Sequence, residues 1–185
     1  MTTAFTETAL RDPLRRHLAA RPPRRLPLTS TTAAAVLLPL FERDGETHVW
    51  LMKRPTSMRS HAGQIAFPGG KSDPSDESLR ATALREAHEE LGIDPASVDV
   101  LGALDEVHTF VSGFTISPWV GWLAAATEVR PNDGEVARAF AAPVRAFFEA
   151  PGGAPPFVGW TIEGELVWGA TAAILRGFVA ILREL

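Results

Sequence analysis

A chain of 185 residues with 45% hydrophobic content fits one domain plus a modest extra segment, with ample apolar material for a core. The formal net charge of -4 provides no broad positive field, which argues against polymeric nucleic acid as a ligand, and the lack of cysteine excludes disulfides, thiol nucleophiles and thiolate-bound zinc. The longest apolar run, Ala33 to Phe41, is far short of the roughly 18 residues of a membrane span, and the N-terminus has no basic start leading into an apolar stretch, so no membrane partner and a cytoplasmic location are expected.

Residues 1–30 read differently from the rest. Leu10, Leu14 and Leu18 fall four apart on one helical stripe, and RPPRRLPL then breaks any helix with three prolines, which predicts a short amphipathic helix and a stiff linker. The segment holds six of the 18 Lys+Arg residues (Arg11, Arg15, Arg16, Arg21, Arg24, Arg25). An arm packed on its own domain, or on the mate in a homodimer, accounts for them better than an anionic partner.

The main domain is expected over 31–185. Its first two strands, AAAVLLPLF and THVWLMKR, are joined by Arg43-Asp44-Gly45-Glu46, whose Asp-Gly pair is a hairpin signal. After QIAFPGG, a helix is predicted from about Ser75 to Leu91, entered through Asp73-Pro74 and stopped by Gly92. Further strands are read over Val98–His108 and Thr115–Ala124, then a pair, Phe157–Ile162 and Glu165–Trp168, around Glu163-Gly164. Ala172, Leu175, Val179 and Leu182 recur at helical spacing in a closing helix from Thr171 to Leu185. The fold class is α/β in the α+β sense, a mixed sheet covered by helices on two sides.

The chemistry concentrates on the central helix. The leucines mark its buried stripe, with Leu84, Ala87, His88 and Leu91 together, and Glu86, Glu89 and Glu90 gather on the opposite side. Like charges at that spacing cost a helix roughly 0.2–0.5 kcal/mol per pair, so helix stability would not select them. Hard divalent cations take oxygen ligands, and Mg²⁺ binds through one or two carboxylates plus substrate phosphates. Just upstream, Gly69 and Gly70 let backbone N–H groups approach an anion closely.

Here the chain resembles the Nudix hydrolases, whose signature is G-x5-E-x7-R-E-U-x-E-E-x-G-U with U apolar. Glu77, then seven residues, then Arg85-Glu86-Ala87-His88-Glu89-Glu90-Leu91-Gly92-Ile93 fill the second half, while six residues rather than five separate Gly70 from Glu77. That insertion looks like the coenzyme A pyrophosphatase branch, whose upstream motif is L-L-T-x-R-[S/A]-x3-R-x3-G-x3-F-P-G-G. Arg54, Arg59, Gly63 and Phe67-Pro68-Gly69-Gly70 match it, whereas Trp50, Met52 and Pro55 depart from it. GFTISPWVGW, PNDGEVA and VWGATAAIL extend the likeness over residues 33–182.

The resemblance implies a Nudix-type α/β/α sandwich that hydrolyses the pyrophosphate of coenzyme A or a derivative. Glu86 and Glu90 would ligate Mg²⁺ (or Mn²⁺), with Glu89 beside them and Arg85 orienting the set. Glu89 and Glu135 are candidates for the general base, Glu135 the preferred one. Arg54, Arg59, His61, Gly69 and Gly70 are the candidate substrate contacts, Arg54 being equally readable as a strand-end side chain and His61 and the further histidine His108 more readily as structural, and Trp119 and Trp122 are read as core. Rival readings are a Nudix enzyme for ADP-ribose, NADH or a dinucleotide, and a non-catalytic nucleotide sensor.

Overall fold

A computed structural model describes residues 7–28, 31–57, 61–109, 112–124 and 127–185. The arm helix α1 (Glu7–Ala20) precedes the long hairpin of β1 (Thr32–Arg43) and β2 (Glu46–Lys53). Its turn has positive φ at Asp44 (53°) and Gly45 (75°), the conformation whose twist matches paired strands. Two short strands, β3 (Ile65–Ala66) and β4 (Gly69–Lys71), lead into α2 (Leu79–Leu91). Then come β5 (Asp99–Ala103), β6 (Val107–Thr109), β7 (Phe114–Trp122), β8 (Arg138–Pro143), the hairpin β9 (Trp160–Ile162) and β10 (Glu165–Val167), and α3 (Gly169–Leu182).

The main sheet runs β3-β2-β1-β7-β5, with β4 on β1, β6 on β7 and β8 on β2. It is mixed, because β1 pairs parallel with β7 from Thr32↔Phe114 to Leu40↔Trp122 while its other neighbours are antiparallel. Side chains alternate across β1 as a pleated strand requires. Leu38 and Leu40 join Leu10, Leu14, Leu18, Leu175 and Phe178 in one core, whereas Ala35, Leu37 and Phe41 join Ala83, Ala87 and Leu91 in another. The sheet is therefore sandwiched, with α1 and α3 on one face and α2 on the other.

Several expectations shift. The α2 helix starts at Leu79, not near Ser75, because Asp73–Asp76 form a turn and Ser78 caps the helix by accepting from the Ala81 N–H. The single strand read over Val98–His108 is two, since Asp105 and Glu106 leave the ladder to bind the arm. Strand β8 was not foreseen; its small residues acquire strand geometry only by pairing along β2, from His48↔Pro143 to Lys53↔Arg138.

Four of the arm's six arginines are paired within the chain. Arg11 and Arg15 meet Asp99, Arg21 forms a two-pronged pair with Asp105 (2.9 and 2.8 Å), and Arg25 meets Glu106 and Ser117. With Leu10, Leu14 and Leu18 buried as well, α1 packs on its own domain. No helix among the described residues is long and apolar enough to cross a membrane.

Candidate active site

Helix α2 crosses the sheet where β1 offers small side chains. Its buried face is Thr82, Ala83, Ala87, Glu90 and Leu91, while Leu84 is half-buried and His88 exposed. This corrects the expected stripe. Ala83 and Ala87, not the Leu84 side, face the sheet, and the rotation carries Glu90 beneath the helix instead of leaving it beside Glu89 in solvent.

Glu90 is thereby almost wholly enclosed, its side chain 4% exposed. The Gly69 N–H donates to its Oε2 at 2.8 Å, and Arg54 Nη1 lies 3.6 Å from Oε1. The glycines are needed for closeness. A Cβ on Gly69 would lie 2.3 Å from the Ala35 carbonyl, and one on Gly70 would lie 2.5–2.6 Å from the Glu86 carboxyl atoms. Burial pushes the Glu90 carboxyl up to about 8, outweighing Gly69 and Arg54, and repulsion from Glu86 and Glu135 adds to it. Burial likewise raises Glu86, against the opposing pull of Arg85.

Arg85 ties the glutamates together. Its Nη1 donates to Glu86 Oε1 at 2.9 Å and to Glu89 Oε2 at 3.0 Å. The other side of the guanidinium is held by a residue that motif reading missed. Nε donates to Asp76 Oδ1 at 2.9 Å and Nη2 to Asp76 Oδ2 at 3.1 Å. Asp76 is held far below the usual carboxylate range, first of all by those bonds from Arg85, and its own bonds to Asp76 raise Arg85 in turn. The signal was present in the sequence, since five residues separate Gly70 from Asp76, the spacing the signature gives to its first acid.

Glu135 joins the group from another element. Gly92 ends α2 in the left-handed conformation (φ 66°), and the loop beyond β7 satisfies helix carbonyls, with the Arg130 N–H donating to Leu91 O at 2.8 Å and the Asn132 N–H to Glu90 O at 2.9 Å. The Glu135 N–H closes the turn on Asn132 O at 2.9 Å, leaving its side chain exposed and near enough to repel Glu86 and Glu90.

The other candidates divide. Arg54, Gly69 and Gly70 are in the site. His61 is exposed, in the left-handed region (φ 56°), with its ring 2.9 Å from Gln64 Oε1, and no hydrogen bond links it to the glutamates. Arg59 lies outside the described residues. His108 contacts Thr115 Oγ1 at 2.9 Å. Trp122 is in the α1–α3 core and Trp119 packs against the α2 core. A cavity of about 680 Å³, lined by Phe157, Trp160 and Leu166 among others, contains none of Glu86, Glu89, Glu90 and Glu135. Donor chemistry rather than concavity locates the site.

The residues suit a divalent cation. Glu86, Glu89 and Glu90 present carboxylate oxygens, and Glu90 is a buried acid whose anionic form is only partly compensated by Gly69 and Arg54. Among the described residues no three acidic or histidine side chains stand close enough to enclose an ion unaided. Mg²⁺ commonly takes only one or two protein carboxylates and completes its shell with water and phosphate oxygens.

Comparison with known proteins gives the same frame. The NUDIX domain family matches residues 31–158. The chain belongs to the Nudix family. An uncharacterized Nudix hydrolase, NudL, of Pectobacterium atrosepticum is 40% identical over 185 residues, covering 94% of this chain and 93% of that protein. A NudL of Enterobacter sp. is 36% identical over 181 residues, covering 92% and 93%. Among solved structures, an Ap4A hydrolase of C. elegans superposes with a TM-score of 0.60 at 18% identity, over 84% of this chain and 100% of that one. The NUDIX domain of Shewanella oneidensis NrtR, complexed with ADP ribose, gives 0.59 at 16%, over 90% and 97%. At such identities these structures establish the fold. Family membership makes this Nudix chain a pyrophosphohydrolase acting on a nucleoside diphosphate derivative.

Proposed function

We propose that this Nudix hydrolase cleaves the pyrophosphate of coenzyme A or a derivative, giving 4′-phosphopantetheine and adenosine 3′,5′-bisphosphate. The observation that carries the reading is the juxtaposition at Glu90. A buried carboxylate short of compensation faces Arg54, whose Nε is buried without a hydrogen-bond partner. One group suits a cation and the other an anion, the two components of a metal-bound diphosphate. Arg54 and the Phe67–Gly70 turn also belong to the motif shared with the coenzyme A branch, which supports the finer substrate assignment.

Glu86 and Glu90 would hold Mg²⁺ or Mn²⁺, with Glu89 beside them. The ion, when bound, neutralises charge building on the diphosphate and lowers the pKa of water. Arg85 keeps Glu86 and Glu89 in one orientation. Arg54 would clamp a phosphate through its planar fork, and Arg59 and His61 are proposed to contact substrate farther along the same segment. Glu135, or in its place Glu89, would take the proton from the attacking water as its oxygen bonds to phosphorus and the bridging P–O bond breaks.

Mass analysis of products from coenzyme A, with and without Mg²⁺, tests the reading, run beside ADP-ribose, NADH and a dinucleotide. Phosphopantetheine formed only with metal is expected. Faster turnover of another substrate would replace the coenzyme A assignment, and tight nucleotide binding without turnover would indicate a sensor.

A further inference from the structure

We propose that Asp76, not Glu77, is the positioning residue of the metal site, fixing the Arg85 guanidinium so that Nη1 alone reaches Glu86 and Glu89. The inference rests on the metal role proposed above for those glutamates. Counting back from Arg85 along the family signature puts its first acid at Glu77, whereas counting forward from Gly70 puts it at Asp76. The structure shows Glu77 exposed and, among the described residues, without a hydrogen bond to its carboxylate. Asp76 instead is 5% exposed at its side chain and accepts from Arg85 Nε and Nη2, from Thr82 Oγ1 at 2.8 Å and from the Asp73 N–H at 2.9 Å.

Local structure explains the exchange. The turn Asp73–Asp76, closed by the Asp76 N–H on Asp73 O at 2.9 Å, folds the chain back before α2 begins. That brings the shorter carboxylate of residue 76 under Arg85 and sends residue 77 outward. Asp73 Oδ1, bonded to the Ser75 N–H and hydroxyl, holds the turn.

The consequence concerns competition for the glutamates. A guanidinium has five N–H donors, and here Asp76 and the Lys71 carbonyl (3.2 Å from Nη2) take those on the Nε–Nη2 edge. Glu86 and Glu89 thus share Nη1 alone, each through one oxygen. Without the Asp76 charge, the cation of Arg85 is balanced only by the two glutamates and competes with a metal for them. Residues that orient a metal's ligands typically alter affinity 10–100-fold when changed.

Two variants of the full chain, Asp76→Asn and Glu77→Gln, separate the geometric assignment from the motif assignment. In the metal-free protein, the Arg85 Nε–H NMR signal, assigned through Arg85→Lys, should persist in the wild type and in Glu77→Gln and be lost to exchange in Asp76→Asn. Mn²⁺ binding followed by EPR of the free ion should weaken about 10–100-fold in Asp76→Asn and stay within about twofold in Glu77→Gln. Asp76→Glu, which keeps the charge, should fall between and serves if Asp76→Asn does not fold. Wild-type Mn²⁺ affinity in the Asp76 variants, or equal weakening in Glu77→Gln, overturns the proposal. If the wild type binds no Mn²⁺ while Asp76→Asn alone frees the Nε–H, the metal reading of the glutamates fails and the Asp76 brace stands.

Discussion

Replacing Glu90 with Gln should stabilise the metal-free protein while destroying its activity. The carboxyl is 4% exposed and its pKa is pushed to about 8 from an ordinary 4.5. A group that binds its proton more tightly folded than unfolded leaves the unfolded state with fewer protons between those values. Stability therefore falls as pH rises from about 4.5 to about 8 and levels off above. At about 1.4 kcal/mol per pH unit the whole loss is about 5 kcal/mol, with about 3 kcal/mol accrued by pH 7. That is a large part of the 5–15 kcal/mol typical of a domain. Gln can still accept from the Gly69 N–H but carries no charge to bury, so the variant lacks this pH dependence. Urea unfolding from pH 5 to 9 in EDTA, wild type against Glu90→Gln, measures the difference, and Mg²⁺ should flatten the wild-type curve because it binds the ionised form. The kcat of the variant should drop by several orders of magnitude. Parallel stability curves across the pH range would refute the claim that burial outweighs Gly69 and Arg54 at Glu90.

Other expectations follow from the same geometry. Gly70→Ala puts a methyl against the flexible end of Glu86, so melting temperature should change little while activity and Mn²⁺ affinity fall; Gly69→Ala meets the Ala35 backbone and should cost about 1–3 kcal/mol or more, read by urea unfolding. Arg54→Ala should raise KM about 10–100-fold, the worth of one hydrogen bond to a charged group, with a smaller effect on kcat. Glu135→Gln should lower kcat about 10²–10⁴-fold with Mn²⁺ affinity retained; the same outcome in Glu89→Gln instead would move the base there. Leu14→Ala, at a fully buried position, should cost about 2–5 kcal/mol in unfolding experiments, whereas Asp99→Asn, removing the half-exposed ion pairs to Arg11 and Arg15, should cost no more than about 1 kcal/mol per pair.

Most of the order of elements, apart from β8 and the break between β5 and β6, was legible in the residues themselves, as was the clustering of the site's acids. Asp44-Gly45 fixes a hairpin because few residues accept two successive positive φ values, and Gly92 stops α2 for the same steric reason. The clustering of Arg85, Glu86, Glu89 and Glu90 was legible because their spacing is local. Three things were decided by packing. The rotation of α2 depends on which side chains the sheet admits, so Ala83 and Ala87 went inward and took Glu90 with them, giving the three glutamates different burial. The capture of Arg85 by Asp76 instead of Glu77 depends on a turn closing before the helix. The convergence of Arg54, Gly69, Glu90 and Glu135 requires β2, β4, α2 and the loop after β7 to meet, contacts between residues far apart in sequence that no local pattern encodes.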